Sequence, residues 1–502
     1  MTTPTASPRL ITANRKQLLL RSIDVEKLIP DDHPARAIWE FVGRCDLASY
    51  EEKIKSVEGG AGRPAYDPRL LISLWVYAYS DGVGSAREIE RQCGHDPAYM
   101  WITGMEEINH HTISDFRIDH AKELDGLFTQ VLGILSAEKL ITLRRVMHDG
   151  TKVKAYASSK SFRREDTIRE HMEMAEQHIR EMGDPRAEGV SPRVAAAKKR
   201  VVEERKQQMD LAMKELEKIQ AARDKSDRER KEARVSETDP EARIMKQAGG
   251  GFAPSYNVQL STDAAAGIIV AVDVSQSGTD AHELVPAIRQ IEERRGESPE
   301  QLVVDGGYTT RSNIMEMHER EIDLIGSMPD NAGTSAAKYD RQGVAPEFRI
   351  AAFVHDEAAD TMTCPAGVAL RRVGQIKRVG MMEHHYKSEA DVCKACAFQK
   401  KCCPSMSPTR RYGRMVVRIV ENPAVAAFRK KMETPESKEI YKQRAQVAEF
   451  PNAWIKEKLN MRQFRTRGRK KTMQEALWGT ITYNIQQWIR LIWRPQLAPS
   501  TG

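Results

Sequence analysis

The stretch LRRVMHDGTKVKAYA, residues 143–157, holds an apolar β-like run at 143–147 that closes on His148-Asp149-Gly150, then a second β-like run at 153–157. An acid at the point where an apolar strand gives way to glycine is awkward in a core. It is well placed at a sheet edge, where sites are built. The glycine beside it lets backbone come close to a substrate. The same grammar recurs at Leu302-Val303-Val304-Asp305, closed by Gly306-Gly307. Between the two, residues 256–260 and 267–274 read as strands joined by a turn at 263–267, a hairpin by its turn chemistry. Helices fit 281–295 and 311–320, and a short apolar strand fits 323–327. Strand, hairpin, helix, strand, helix, strand describes a mixed α/β core.

Two segments interrupt that rhythm. From 161 to 243, Ile168, Met172, Ala175, Ile179 and Met182 recur at helical steps, as do Val202, Met209, Ala212, Leu216 and Ile219. Each set makes one apolar stripe on a charged helix. Gly183, Pro185, Gly189 and Pro192 between them predict a turn, hence an antiparallel helical hairpin. Its charge runs read as solvated faces. From 330 to 415 the pattern breaks again, and five of the seven cysteines fall there. Ahead of the core, residues 15–138 read as short helices joined by glycine turns: an apolar helix at 70–79 opened by Pro64 and Pro68, a break at Gly82 and Gly84, a charged helix at 87–93, and another after His110-His111, capped by Thr112 or Ser114. That is the grammar of helix-turn-helix modules and of other small helical domains. The expected organisation is a disordered tail (1–14), a helical DNA-binding domain (15–138), a core in two parts (139–160 and 244–329), the hairpin insertion (161–243), the cysteine-rich insertion (330–415), a basic helical part of the core (416–495) and a tail (496–502).

The 502 residues are too many for a single ordinary core and imply about two to four units. With 40% hydrophobic and 30% charged residues, and no apolar run of the roughly 18–20 residues a membrane helix needs, a cytoplasmic protein is expected. The polar N-terminus has no secretory pattern. Seven cysteines in a chain this long suggest metal rather than a disulfide framework. A net charge of +7 suits a polyanionic partner.

Phosphodiester cleavage needs an activated water and stabilisation of the leaving oxygen. Two hard cations roughly 3.5–4 Å apart supply both. Such ions take oxygen ligands, so two strand-end aspartates and one acid on a late helix would suffice. At this point the motifs carry a resemblance. His148-Asp149-Gly150-Thr151-Lys152-Val153-Lys154-Ala155 resembles the first catalytic segment of bacterial insertion-sequence transposases of the DDE type, and Val304-Asp305-Gly306-Gly307-Tyr308 their second. Tyr441, Arg444, Glu449 and Lys456 resemble the family's Tyr-Arg-Glu-Lys signature. The stretch at 250–259 looks like the strand after the helical insertion. Gly62-Arg63-Pro64 and Thr112-Ile113-Ser114-Asp115-Phe116-Arg117 are similar to the preceding helical domain. The resemblance runs from about residue 15 to 495.

It implies a ribonuclease-H-like core in which Asp149, Asp305 and Glu449 hold two Mg²⁺ or Mn²⁺ ions. The signature usually places its glutamate four residues after the arginine; here the interval is five, with Ala448 in the usual place, so Glu457 and Glu475 remain alternatives. Lys456 lies two helical turns beyond Glu449 on the same face. Pro451 predicts a helix that is kinked near Glu449 or begins about Pro451. By resemblance Tyr441, Arg444 and Lys456 contact phosphates. The run Arg462, Arg465, Arg467, Arg469, Lys470 and Lys471, with Phe464 among them, suits DNA backbone. Cys364, Cys393, Cys396 and either Cys402 or Cys403 form a candidate structural Zn²⁺ site. His384 and His385 are further ligand candidates; Cys45 and Cys93 read as core. The implied activity is cleavage at an element's terminal inverted repeats and transfer of the 3′-hydroxyl ends into target DNA, by a homodimer on double-stranded DNA in the nucleoid. A stand-alone nuclease on the same core and an inactive end-binding regulator are the alternatives.

Overall fold

The computed structural model describes residues 16, 20, 22–57, 59, 63–182, 192–222, 232–328, 331–407 and 409–497. The expected tail at 1–14, the hairpin turn at 183–191, Gly62 and residues 498–502 lie outside the described residues.

The N-terminal region is helical. Pro34–Val42, Pro68–Ser80 and Pro97–Thr103 each start with proline, whose fixed φ suits the first turn. Each is capped by the side chain before it: His33, Asp67 and Asp96. The His110–Asp119 helix is capped by Asn109, which accepts from the amide of His111, rather than by Thr112 or Ser114. Those two residues already lie within the helix. The 17-residue helix Ala121–Ala137 leads into the core.

The core sheet has six strands: β1 (Arg145–Lys154), β2 (Arg243–Lys246), β3 (Phe252–Asp263), β4 (Ile268–Ser275), β5 (Gln301–Val304) and β6 (Asp323–Gly326). β3 lies beside β1, and β2 and β4 share its other edge; these pairings are antiparallel. β1, β5 and β6 run parallel; the helix Leu284–Arg295 leads from β4 to β5, and Arg311–Glu319 leads from β5 to β6. One expectation is corrected here. Residues 145–154 form a single strand, and Asp149 lies within it. Antiparallel pairing to β3 runs from Val146–Asp263 to Lys154–Ser255, whereas the parallel pairing to β5 stops at His148–Val304. Asp149 is therefore the first residue of β1 past the end of its parallel neighbour.

Asp263 fixes the start of β1. Its buried carboxylate accepts from the amides of Leu143 at 2.7 Å and Thr142 at 2.9 Å. Asn484 does the same for β4, exchanging two hydrogen bonds with the backbone of Ile269. Asn484 belongs to the Arg469–Trp488 helix, which joins the core to the N-terminal helices. Trp478 packs tilted against Trp75, with ring centroids 6.3 Å apart, and Trp488 meets Phe41 edge-on at 5.0 Å. One continuous hydrophobic core includes residues from both regions.

Glu165–Met182 and Pro192–Ala222 are long helices that pack together on a separate small cluster of Ile168, Ala212, Leu216, Ala233 and Val235. Residues 354–421 hold a second sheet that the sequence did not reveal. Its five antiparallel strands run in the order Met415–Glu421, Met381–Lys387, Ala369–Arg378, Thr361–Thr363, Val354–Asp356.

Candidate active site

Three elements deliver the acidic residues. β1 carries Asp149, the turn after β5 carries Asp305, and the Arg444–Glu457 helix carries Glu449. That helix contains Pro451 in its interior, so it begins seven residues before the proline rather than at it. Asn452 lies three residues after Glu449 and Lys456 seven, which puts all three on one face.

Asp149 is the most enclosed of the acids. Its side chain is 18% exposed; Oδ1 accepts from the amide of Gly150 at 3.0 Å and Oδ2 from the Asn452 amide at 3.1 Å. Burial pushes its carboxyl up to about 6. Arg444 opposes that rise, and the carboxylates of Asp305 and Asp280 add to it. Arg444 stands between two acids, 3.8 Å from Asp149 and 3.6 Å from Glu449. Glu449 is 60% exposed. The Arg444 guanidinium lies 5.9 Å from the centre of the Tyr441 ring, and burial raises the proton affinity of the Tyr441 hydroxyl, with Arg444 opposing the rise and Asp305 adding to it. Burial, and then the charge of Arg462, lowers that of Lys456.

A polar layer lies under these groups. Asp280 Oδ1 accepts from Asn257 at 2.7 Å, Gln259 at 3.1 Å and Lys152 at 3.3 Å. The Tyr308 hydroxyl donates to Gln259 at 2.6 Å, and its ring meets buried His148 edge-on. Gly150 fits this layer because it has no side chain: a Cβ there would stand 2.5 Å from the Gln259 nitrogen and 2.8 Å from both Asp280 Oδ1 and the Tyr308 hydroxyl. Asp280, Asn257, Gln259 and Asn452 were not singled out from sequence. Asn452 has a signal, its three-residue spacing from Glu449. Asp280 lies in a loop and has none.

The alternative acids have other partners. Glu457 is ion-paired with Arg462 at 2.5 Å. Glu475 is buried and accepts from the amides of Arg465 and Thr466 and the Thr466 hydroxyl. The basic run divides. Its segment 462–464 adds to the end of β1, with the amide of Lys154 donating to Arg462 O and that of Phe464 to Lys154 O. Phe464 is buried against Tyr256. Arg462, Arg465 and Arg467 are exposed; Arg465 packs on Gly84 of the N-terminal region and Arg467 lies over the Tyr156 ring. Arg469 is tied to β4 through Val274 O and Asp273.

Among the described residues, no three of His, Cys, Asp and Glu stand in an arrangement that holds a metal ion as they are placed. The donor chemistry nevertheless suits hard divalent cations. Asp149 lies near the carboxylates of Asp305 and Asp280, and its burial, which disfavours the charged form, is the kind of cost that a bound cation offsets. His384 and His385 lie on the small sheet; His385 is 3.5 Å from Glu383. Among the described residues no helix is long and apolar enough to cross a membrane.

Residues 23–119 match the family described as Transposase domain (DUF772), and residues 363–489 match the Transposase DDE domain family. The second match takes in Glu449 and the cysteines but not Asp149 or Asp305. No curated protein matches the chain.

Proposed function

We propose that this chain, which matches transposase family models over residues 23–119 and 363–489, is a DDE transposase of the insertion-sequence kind, and that Asp149, Asp305 and Glu449 form its acidic triad on a ribonuclease-H-like core. The observation that supports the triad is the position of Arg444, within 4 Å of both Asp149 and Glu449. The strand order, with an antiparallel set on one side of β1 and two parallel strands on the other, supports the core assignment.

Two Mg²⁺ or Mn²⁺ ions bound by the triad would activate the attacking oxygen and stabilise the leaving one. The chain's own residues supply positioning, which is most of what phosphoryl transfer requires. Asn452 and the Gly150 amide hold the Asp149 carboxylate by one oxygen each. Glu449, exposed on its helix, turns inward from Arg444. Arg444, released, grips a phosphate in bidentate fashion, with Tyr441 beside it. Lys456, beside Asp149, and Arg462, Arg465 and Arg467 take the phosphates of the strand entering the site. The reaction first exposes a 3′-hydroxyl at the end of the element. That hydroxyl then attacks target DNA. The N-terminal helices bind the terminal repeats, and the working form is a dimer on two ends.

A strand-transfer assay tests this. Protein, DNA carrying the element's ends and supercoiled target are incubated with Mg²⁺ or Mn²⁺. Wild type joins ends to target, with two ends joined in concert, while Asp149→Ala, Asp305→Ala and Glu449→Ala lose at least 100-fold on the order of a lost catalytic group. An active Glu449→Ala beside two dead aspartate variants moves the third acid to Glu457. Wild type that binds ends but neither cuts nor joins overturns the scheme, and single-end products alone overturn the dimer.

A further inference from the structure

Five cysteines, Cys364, Cys393, Cys396, Cys402 and Cys403, line one cavity of about 20 Å³ in the unit built on the small sheet. That volume is about what a single water-sized sphere occupies. The backbone around it is shaped for sulfur. Cys364-Pro365-Ala366-Gly367 is a tight turn: the Gly367 amide donates to Cys364 O at 2.8 Å, Gly367 takes φ +79°, and the Val368 amide donates to Cys364 Sγ at 3.3 Å. Across the cavity the Arg414 amide donates to Cys393 Sγ at 3.3 Å, and the Ser388 hydroxyl lies 2.9 Å from the same sulfur. Gly413 leaves room for this, since a Cβ would stand 2.6 Å from that sulfur. Amides and hydroxyls aimed at sulfur favour thiolate and form the usual outer shell of a thiolate-bound metal.

A second observation is independent of the sulfurs' hydrogen bonds. The helices Ala390–Lys394 and Gln399–Cys402 carry two of the five cysteines, Cys393 and Cys402, with Cys396 in the turn between them, and bury no residue. Helices of four or five residues do not hold themselves together. The apolar cluster of the whole unit has five buried members, Phe353, Met362, Leu370, Tyr386 and Val416, and none comes from these helices. A unit with so small a core usually needs a staple.

We propose that Cys364, Cys393, Cys396 and Cys402 bind one structural Zn²⁺ that ties the two short helices to the small sheet. Cys403 stands outside the set: its Sγ donates to that of Cys402 across 3.9 Å, completing the outer shell. As placed, the sulfurs of Cys364, Cys393 and Cys402 accept hydrogen bonds. An ion draws four of them in to about 2.3 Å, with loss of the thiol protons to solvent. Four thiolates leave no open position, so the ion takes no part in DNA cleavage.

The test is metal content by mass spectrometry of full-length protein grown in zinc-supplemented medium. One zinc per chain is expected in wild type, in Cys403→Ser and in Asp305→Ala. Cys364→Ser, Cys393→Ser, Cys396→Ser and Cys402→Ser should fall below about a tenth of that. Because a serine variant that misfolds would also lose zinc, wild type is read a second way. Co²⁺ exchanged into it should give the absorption of a tetrahedral tetrathiolate, and a chelator should expose four thiols to alkylation. Metal-free wild type whose five cavity cysteines alkylate freely overturns the proposal. Zinc lost from Cys403→Ser but kept by Cys402→Ser overturns the ligand set. The Asp305→Ala arm keeps this outcome separate from any failure of the triad.

Discussion

Asp149 is held where its own charge is disfavoured. With its carboxyl pushed up to about 6, the folded protein keeps a proton there that the unfolded chain, with an ordinary value near 4, has already released. The folded state therefore loses stability as pH rises from about 4 to about 6, and the full penalty stands above that. Asp149→Asn carries no such penalty. In chelator, that variant should be more stable than wild type at pH 7.5 by roughly 1–2 kcal/mol, well under the ~3 kcal/mol of the full shift because Arg444 loses a partner, with the gap nearly closed at pH 4. Thermal unfolding at the two pH values decides it; a gap that is absent, or that narrows as pH rises, defeats the reading. At this scale the sequence was informative where chemistry leaves a local mark. Asp149 and Asp305 stand beside glycine, and Glu449 falls within a spaced signature. Asp280 and the amides of Asn257 and Gln259 left no mark, because their role exists only once β1, β3 and the loop after β4 are side by side.

The strand at 145–154 shows how an element can hide a pair of residues that usually mean a turn. Asp-Gly reads as a break, yet β3 continues to pair on one side after β5 has ended on the other, so the strand persists and its free edge becomes the site. The small sheet was illegible for a different reason. In Ala369–Arg378 nine of the ten residues are exposed and only Leu370 is buried, so no alternation of polar and apolar residues marks it as a strand. Glu475 illustrates the reverse error, an acid that looks available and is not. It clamps the loop at 465–466 onto the last long helix through buried hydrogen bonds. Glu475→Ala leaves those donors unpaired and should cost about 3 kcal/mol of stability. Where the variant remains folded, its affinity for Mn²⁺ should match wild type. A variant of undiminished stability, or one that loses Mn²⁺ binding while folded, makes Glu475 a functional acid instead.

In the whole molecule the division between an N-terminal helical domain and a core, so natural from the sequence, is crossed by packing. Trp478 donates to the carbonyl of Arg117 and Gln474 to that of Ile118, while the Trp493 indole reaches Glu40. Arg117, buried, spans from the Gly84 carbonyl to the face of Trp75. The two regions should therefore unfold in one transition. Trp478→Ala should destabilise both together by about 3–5 kcal/mol. Calorimetry, with one probe in each region, would show a single coincident transition; two transitions, or a stable fragment ending near residue 138, would mean that the regions are independent. The position of that last helix also sets a schedule. Trp75 leaves the ribosome about 400 residues before Trp478, which at ordinary synthesis rates is roughly 20–80 s. Through that interval the N-terminal helices wait with an uncovered apolar face, a natural client for chaperones. A chain that stops short of Trp478 never covers that face.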